Sequence, residues 1–402
     1  MALDPAAWRT RPGMDSLLDA LDAKHGATRL VGGAVRDLAL GLQDADLDLA
    51  TRLRPEDVMN RLADARIKAI PTGLAHGTVT AVASGTVVEI TTLRSDVATD
   101  GRRATVAFTD DWAADAARRD FTINALYADP LTGEMFDPTG KGRADLEARR
   151  VRFIGEPLER IAEDHLRIMR FFRFHARFAA GAPDEAALAA CTARANDLMA
   201  LSRERIADEL LKLLALADPL PTIRTMVAHA ILLPVLPEIT ETDRLATLLA
   251  AEHAADIPGD PLRRLAALIP QDPLTAEKIA ARLKLSVKAR RRLALAAATT
   301  DLGSREVHAY RLGTESAIDR LLLANRPADA VAIATWPIPR LPISGGDLIA
   351  KGVPQGPLVA RTLKAIEQAW LDAGFAAGAD LDDIVAGAII DHGAIARPSA
   401  AR

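Results

Sequence analysis

The stretch from Leu30 to Thr51, LVGGAVRDLALGLQDADLDLAT, constrains the fold more than any other part of the chain. Thr28 to Val31 reads as a short buried strand, Gly32 and Gly33 as a turn, and Ala34 to Leu40 as a helix that Gly41 stops. A strand that turns through glycine straight into a helix leaves backbone N–H groups at the positive helix end, where phosphate oxygens are favoured. Arg36, one turn in, adds a guanidinium for the same oxygens.

Residues 46 to 51 alternate polar and apolar side chains, as a half-buried strand does, so Asp46 and Asp48 at i and i+2 share a face. Adjacent carboxylates repel, and a divalent cation is the usual reason to keep both ionised. Mg2+ takes one or two protein carboxylates and leaves its other positions to water and substrate phosphates. A solvated strand end or an Asx turn would explain D-x-D standing alone. Joined to V-G-G-A-V-R-D, the pair points to nucleotidyl transfer.

The chain of 402 residues is long enough for two or more domains, and its 49% hydrophobic and 26% charged residues fit a folded globular protein. A single cysteine, Cys191, excludes an internal disulfide and a cysteine-rich zinc site. The N-terminus lacks the pattern of a signal peptide, and no run of about eighteen apolar residues could span a bilayer, so the expectation is a cytoplasmic protein without a membrane partner. The net charge of -4 does not advertise nucleic-acid binding, although a local basic patch is compatible with it.

In chain order, residues 15 to 24 read as a short amphipathic helix and Pro55 to Ala65 as a helix opened by proline and acidic residues. Strand-like runs follow at Arg66 to Ile70, Thr78 to Ala83 and Val87 to Thr92, giving an α+β head. Glu89 sits inside the apolar third run, either as a third carboxylate at the metal site or as an outward glutamate on an edge strand. Leu93 to Asp111 is too long and too charged for a tight hairpin and reads as a mobile loop beside the site. In the run Arg118 to Ala125, Arg119 beside Arg118 suits a triphosphate, Asp120 a ribose hydroxyl, and Asn124 belongs to the same nucleotide-binding group.

From Pro157 the periodicity is helical, with one long helix expected to about Ala179 carrying Glu163, Asp164, Arg167, Arg170, Arg173 and Arg177. Carboxylate only accepts hydrogen bonds and guanidinium only donates. Cytosine and adenine each place an exocyclic amine beside a ring-nitrogen acceptor, so Asp164 suits the amine and Arg167 the ring nitrogen. Guanine and uracil reverse that pattern and leave both side chains mismatched, which is enough for strong discrimination. Further on, Leu201 to Leu216 continues the helical array, and the basic cluster Lys284, Lys288, Arg290, Arg291 and Arg292 is either an RNA contact or a solvated helix face. A final helix is expected near Leu358 to Gly374.

These segments together resemble the bacterial class II tRNA nucleotidyltransferase and poly(A) polymerase family. The likeness rests on Leu30 to Asp37 with Asp46 and Asp48, on Glu89-Ile90-Thr91-Thr92 and on Asp100-Gly101-Arg102-Arg103. It continues through Arg118 to Ala125, Asp137 to Gly140, Glu163-Asp164-x-x-Arg167 and Arg203-Glu204-Arg205-Ile206. The resemblance implies a polymerase-β-type nucleotidyltransferase head over residues 1–150, a helical neck that selects the nucleobase over 151–217, and a helical body and tail over 218–402 that binds tRNA. It also implies that Asp46 and Asp48 bind catalytic Mg2+, and that Gly33, Arg36 and Arg119 hold CTP or ATP. Asp164, Arg167, Arg170 and Arg173 would then select the base and bind phosphate. The activity implied is addition of CCA to the 3′ end of tRNA. The family's loops commonly carry aromatics where this chain has Leu93 and Ala98, and the chain has no His-Asp dipeptide for an added phosphohydrolase. The rival readings are a poly(A) or A-only polymerase on the same head, and a non-catalytic RNA-binding protein that has kept the fold.

Overall fold

The computed structural model describes residues 2–42, 46–100, 103–301 and 303–391. They cluster into two compact units, one reaching from the N-terminus to Thr242 together with Arg282–Leu285, the other made of Asp243–Ala281 and the chain from Ser286 onward.

The first unit is built on nine strands: β1 (Thr28–Val31), β2 (Asp48–Thr51), β3 (Lys68–Gly73), β4 (Thr78–Ala83), β5 (Thr86–Thr92), β6 (Arg94–Asp100), β7 (Arg103–Phe108), β8 (Tyr127–Ala128) and β9 (Met135–Phe136). Seven form one sheet in the order β3-β4-β5-β2-β1-β8-β9. Every pairing in it is antiparallel except β2 with β5, which run parallel and set Asp48 opposite Glu89. The strand β2 begins only at Asp48. Asp46 lies two residues before it and is exposed.

Glu89 also departs from one of its two readings, because β5 is flanked by β4 and β2 and is not an edge strand. The segment expected to be a mobile loop instead contains β6 and β7, paired with each other in a two-stranded sheet of their own. Asp100 faces Arg103 in that pairing, and Gly101 and Arg102 lie outside the described residues.

One face of the large sheet buries Leu30, Leu49, Val88 and Ile90, and helix Pro55–Asp64 turns Val58 and Leu62 inward as it packs on β3 and β4. On the other face, Val31, Ala50, Leu93, Ala125 and Tyr127 pack with Trp112 and Ala116 of helix α1 (Trp112–Ala117). Alternation along each strand produces this division, since successive side chains point to opposite faces.

The helix expected over residues 157–179 is two helices, α2 (Pro157–Glu163) and α3 (Arg167–Phe178). Asp164 is extended at φ −150° and ψ 104°, and its side chain accepts the amide of Leu166 at 3.1 Å, a local alternative to the helical ladder. α3 buries Ile168, Met169, Phe171, Phe172, Phe174 and Phe178 and packs against α4 (Arg203–Leu214). Phe121 and Phe153 join the ring cluster with centroids 5.1–6.3 Å from one another and from Phe171 and Phe174.

The second unit is helical throughout its described residues. Near its end, Leu348, Val353, Ile366, Val385 and Ile389 form a separate apolar cluster. Helix Pro357–Asp372 is not the last, because Ala379–Asp391 follows it. The basic cluster is also divided, since Arg292 is drawn inward to Asp319 at 2.6 Å while Lys288 is 87% exposed. No helix among the described residues is long and apolar enough to cross a membrane.

Candidate active site

Gly32 links β1 to the helix Gly33–Ala39 with φ +62° and ψ −119°, a conformation L side chains avoid. A Cβ at Gly32 would also meet Nη1 of Arg119 at 3.1 Å. The turn is therefore bare because an arginine lies directly on it. Arg36 is nearly buried and braces the turn from inside: it donates to Asp37 at 2.7 Å and to the side-chain oxygen of Asn124, and its guanidinium lies 3.9 Å from the Phe178 ring centroid. Burial pulls its pKa below the ordinary arginine value, with Asp37 acting the other way.

Asp48 is half-buried at the start of β2, and its pKa is raised to about 6 by burial first, then by the carboxylates of Glu89 and Asp46, with Arg119 and Arg36 opposing. Three acidic groups thus act on one another at the strand tip, with Asp46 and Glu89 both exposed. Among the described residues no group of three or more His, Cys, Asp or Glu side chains is drawn together as a metal-holding cluster. A pair of hard oxygen donors suits Mg2+, which takes few protein ligands.

Asp120 does not face outward toward a ribose. Its carboxylate is buried and accepts from Arg170 at 2.8 and 2.5 Å, from Asn124 at 2.9 Å and from the Phe121 amide at 2.8 Å. Burial works to raise its pKa, but Arg170 and Asn124 hold it below the ordinary value. Arg173 is likewise committed, donating to Glu209 of α4 at 2.5 Å, and Glu209 also lies 3.8 Å from Arg170. The result is a continuous polar line, Arg36–Asn124–Asp120–Arg170–Glu209–Arg173, running from the glycine turn to α3 and α4.

The Arg167 amide donates to the Asp164 carbonyl at 3.0 Å, but the two side chains take different partners. Asp164 accepts from Arg205 at 2.8 Å, whereas Arg167 donates to Glu163 at 2.5 Å and to the carbonyls of Arg160 and Arg118 at 2.8 and 3.1 Å. The sequence reading missed Asp115, which is buried and binds Arg118, Arg119 and Tyr127 together. Burial would raise its pKa, yet Arg119, Arg118 and the Tyr127 hydroxyl outweigh that and hold it at about 2. It assigned Glu209 no role either. The signal for Asp115 is an acidic residue in an otherwise apolar helical stretch, whereas Glu209 follows Asp208 in a charged helix and carries no such signal.

Residues 28–152 match the family model described as the Poly A polymerase head domain, and residues 182–242 match one described as a probable RNA and SrmB-binding site of polymerase A. The human mitochondrial CCA tRNA nucleotidyltransferase 1 is 34% identical over 390 residues, spanning 90% of this chain and 87% of that protein. The chain belongs to the CCA tRNA nucleotidyltransferase family. Another member, the CCA-adding enzyme of Lacticaseibacillus paracasei, is 31% identical over 386 residues, 88% of this chain and 90% of its own. Among solved members, the Bacillus stearothermophilus CCA-adding enzyme in complex with CTP superposes with a TM-score of 0.68 at 26% identity, covering 90% of this chain and 94% of that one. The nucleotidyltransferase head and the helical remainder accord with that fold.

Proposed function

We propose that the protein adds C and A to the 3′ end of tRNA, using CTP and ATP with Mg2+ and releasing pyrophosphate. The observation that carries this is the extent of the likeness to the CCA tRNA nucleotidyltransferases, about nine-tenths of the chain. It takes in the segment that holds Asp164 and Arg167 as well as the head that holds the two aspartates.

Asp46 and Asp48 are the residues that would hold Mg2+, and the clustering of carboxylates around a raised Asp48 is the reason. Bound there, the ion would supply activation of the attacking oxygen and neutralisation of charge on the departing pyrophosphate. The remaining work falls to the chain itself. The N–H groups of the glycine turn and the Arg119 guanidinium hold the triphosphate, with Arg36 fixing the turn from beneath. The 3′-hydroxyl of tRNA then attacks the α-phosphorus in line with the leaving pyrophosphate.

For base choice, Asp164 accepts the exocyclic amine of C or A and Arg167 donates to the adjacent ring nitrogen. Arg205, the present partner of Asp164, has a side chain 43% exposed, and a solvated ion pair of that kind yields readily to a base. Arg167 is pre-oriented by Glu163 and two carbonyls, which limits the rotamers a mismatched base can recruit.

The match to a head-domain model named for poly(A) polymerase keeps one alternative alive, addition of A alone. Transcripts of tRNA ending before CCA, incubated with CTP and ATP separately and together, distinguish the two. The expected result is C addition from CTP alone and complete CCA from the mixture. Incorporation of A without any C would overturn the reading.

A further inference from the structure

Asp115 has no part in the chemistry so far described, yet it is among the least exposed charged residues of the first unit, at 1%. Its two oxygens serve separate clients. Oδ2 accepts from Arg119 at 2.9 and 3.3 Å and from the Tyr127 hydroxyl at 2.6 Å. Oδ1 accepts from Arg118 at 2.6 and 2.9 Å and from the backbone amide of Arg94 at 3.2 Å.

Arg94 is the first residue of β6, and Arg118 Nε closes the connection by donating to the Arg94 carbonyl at 3.0 Å. On the other side, the Arg118 carbonyl receives Arg167 at 3.1 Å. One carboxylate thus stands between the arginine on the glycine turn, the root of the β6–β7 hairpin and the backbone that steadies Arg167. For stability alone such an arrangement is a poor choice, because well-packed apolar residues hold a core as well as buried ion pairs do, or better. What the ions add is fixed direction, since a guanidinium gripped by a carboxylate has few rotamers left.

We propose that Asp115 is a positioning residue of the nucleotide site: it aims Arg119 at the glycine turn and ties that arginine to the hairpin root. This rests on Arg119 holding the nucleotide, as proposed above. Asp115→Asn keeps the shape but turns an NH2 group toward donors on one side, so one of the two clients loses its acceptor.

The test is a double-mutant cycle of Asp115→Asn with Arg119→Ala, read as KM and kcat for CTP and ATP. Asp115→Asn alone is expected to raise both nucleotide KM values about tenfold and to lower kcat less than about threefold. On the Arg119→Ala background it should add less than about twofold, since a residue that acts through another has nothing left to act on. Tyr127→Phe removes a hydroxyl that bonds the same oxygen and also meets Arg119, but keeps both pairs between Asp115 and its arginines, so KM should rise less than about threefold even as stability falls. If Asp115→Asn does not fold, Asp115→Glu takes its place in the cycle, with the same non-additivity expected.

Additive effects, or a Tyr127→Phe that raises KM as much as Asp115→Asn, would reduce Asp115 to a structural role and overturn the inference. An unaltered chain that incorporates nucleotide beside an Asp115 variant with unmoved KM overturns the inference and leaves the function intact. An unaltered chain that incorporates neither nucleotide sinks the function and takes this inference with it.

Discussion

Each of the two units buries a network of arginines and carboxylates, and the networks end differently. In the second unit, Arg263 joins Glu252 and Asp319 at 2.8 and 3.2 Å, Arg264 joins Glu252 at 2.9 Å, and Arg292 ties Asp319 to Asp260 at 2.6 and 3.0 Å. Glu252, Arg263, Arg264 and Asp319 have side chains no more than 5% exposed. The centre of that network is buried, although Arg292 also reaches the half-exposed Glu315 at 3.0 Å, and it fastens helices Asp243–Ala255, Pro261–Leu268, Val287–Ala297 and Thr314–Leu323. In the first unit the line from Arg36 to Arg173 runs beside open groups, with Asp46 and Glu89 exposed and Arg170 31% exposed. The same ion-pair chemistry therefore holds helices in one place and aims side chains at solvent-facing space in the other.

The sharpest way to separate the two is to break each. Asp46→Ala should lower nucleotide incorporation on the order of a thousandfold while leaving tRNA binding by gel shift largely unchanged. Persistent transfer would remove Asp46 from the metal pair. Asp319→Ala should do the reverse, costing about 3 kcal/mol in urea unfolding because Arg263 keeps only Glu252 and Arg292 keeps only the more exposed Asp260 and Glu315. Its kcat per folded molecule should be unchanged; a fall in kcat without a fall in stability would erase the distinction.

Smaller effects refine the comparison. Arg167→Ala should reduce discrimination of CTP over UTP by about tenfold to a hundredfold, measured by competition between the two nucleotides. Unaltered selectivity would count against the base-reading role. Asp115 supplies a pH signature as well. Its folded pKa of about 2 lies below the ordinary 3.8, so its stabilisation is complete above that ordinary value and lost as pH falls through about 2. The loss is about 2 kcal/mol, and Asp115→Asn should remove that limb of an acid-unfolding curve, whose charged and titratable neighbours are Arg118, Arg119 and Tyr127.

Much of the first unit was legible in the sequence because its strands are half-buried and alternate. Thr78–Ala83 carries an apolar residue at every second position and was read to the residue. The glycine turn and both helix ends beside it were read to within a residue for the same reason, since glycine and the apolar run leave little choice. The break between α2 and α3 was not legible. It occupies only Asp164 to Leu166, close to one helical turn, so the apolar phase on either side stays in register.

The β6–β7 hairpin escaped notice for a different reason. Its strands pair only with each other, so no register with the large sheet marks them along the chain. The inward turn of Asp120 and the role of Asp115 were hidden because their partners come from distant positions: Arg170 for the first, Arg94 and Tyr127 for the second. Spacing along a chain reports neighbours on one element, and these contacts join several.

The single parallel pairing in the sheet, β2 with β5, carries a consequence for how such a chain evolves. It seats Asp48 across from Glu89, two like charges that folding itself brings together. Asp48→Asn would ease that repulsion, so a chain selected only for thermal endurance would drift toward asparagine and grow sturdier as it lost its activity. On the metal-holding role proposed above, the aspartate persists only under selection for catalysis, which makes this position a sensitive marker for telling working relatives from retired ones.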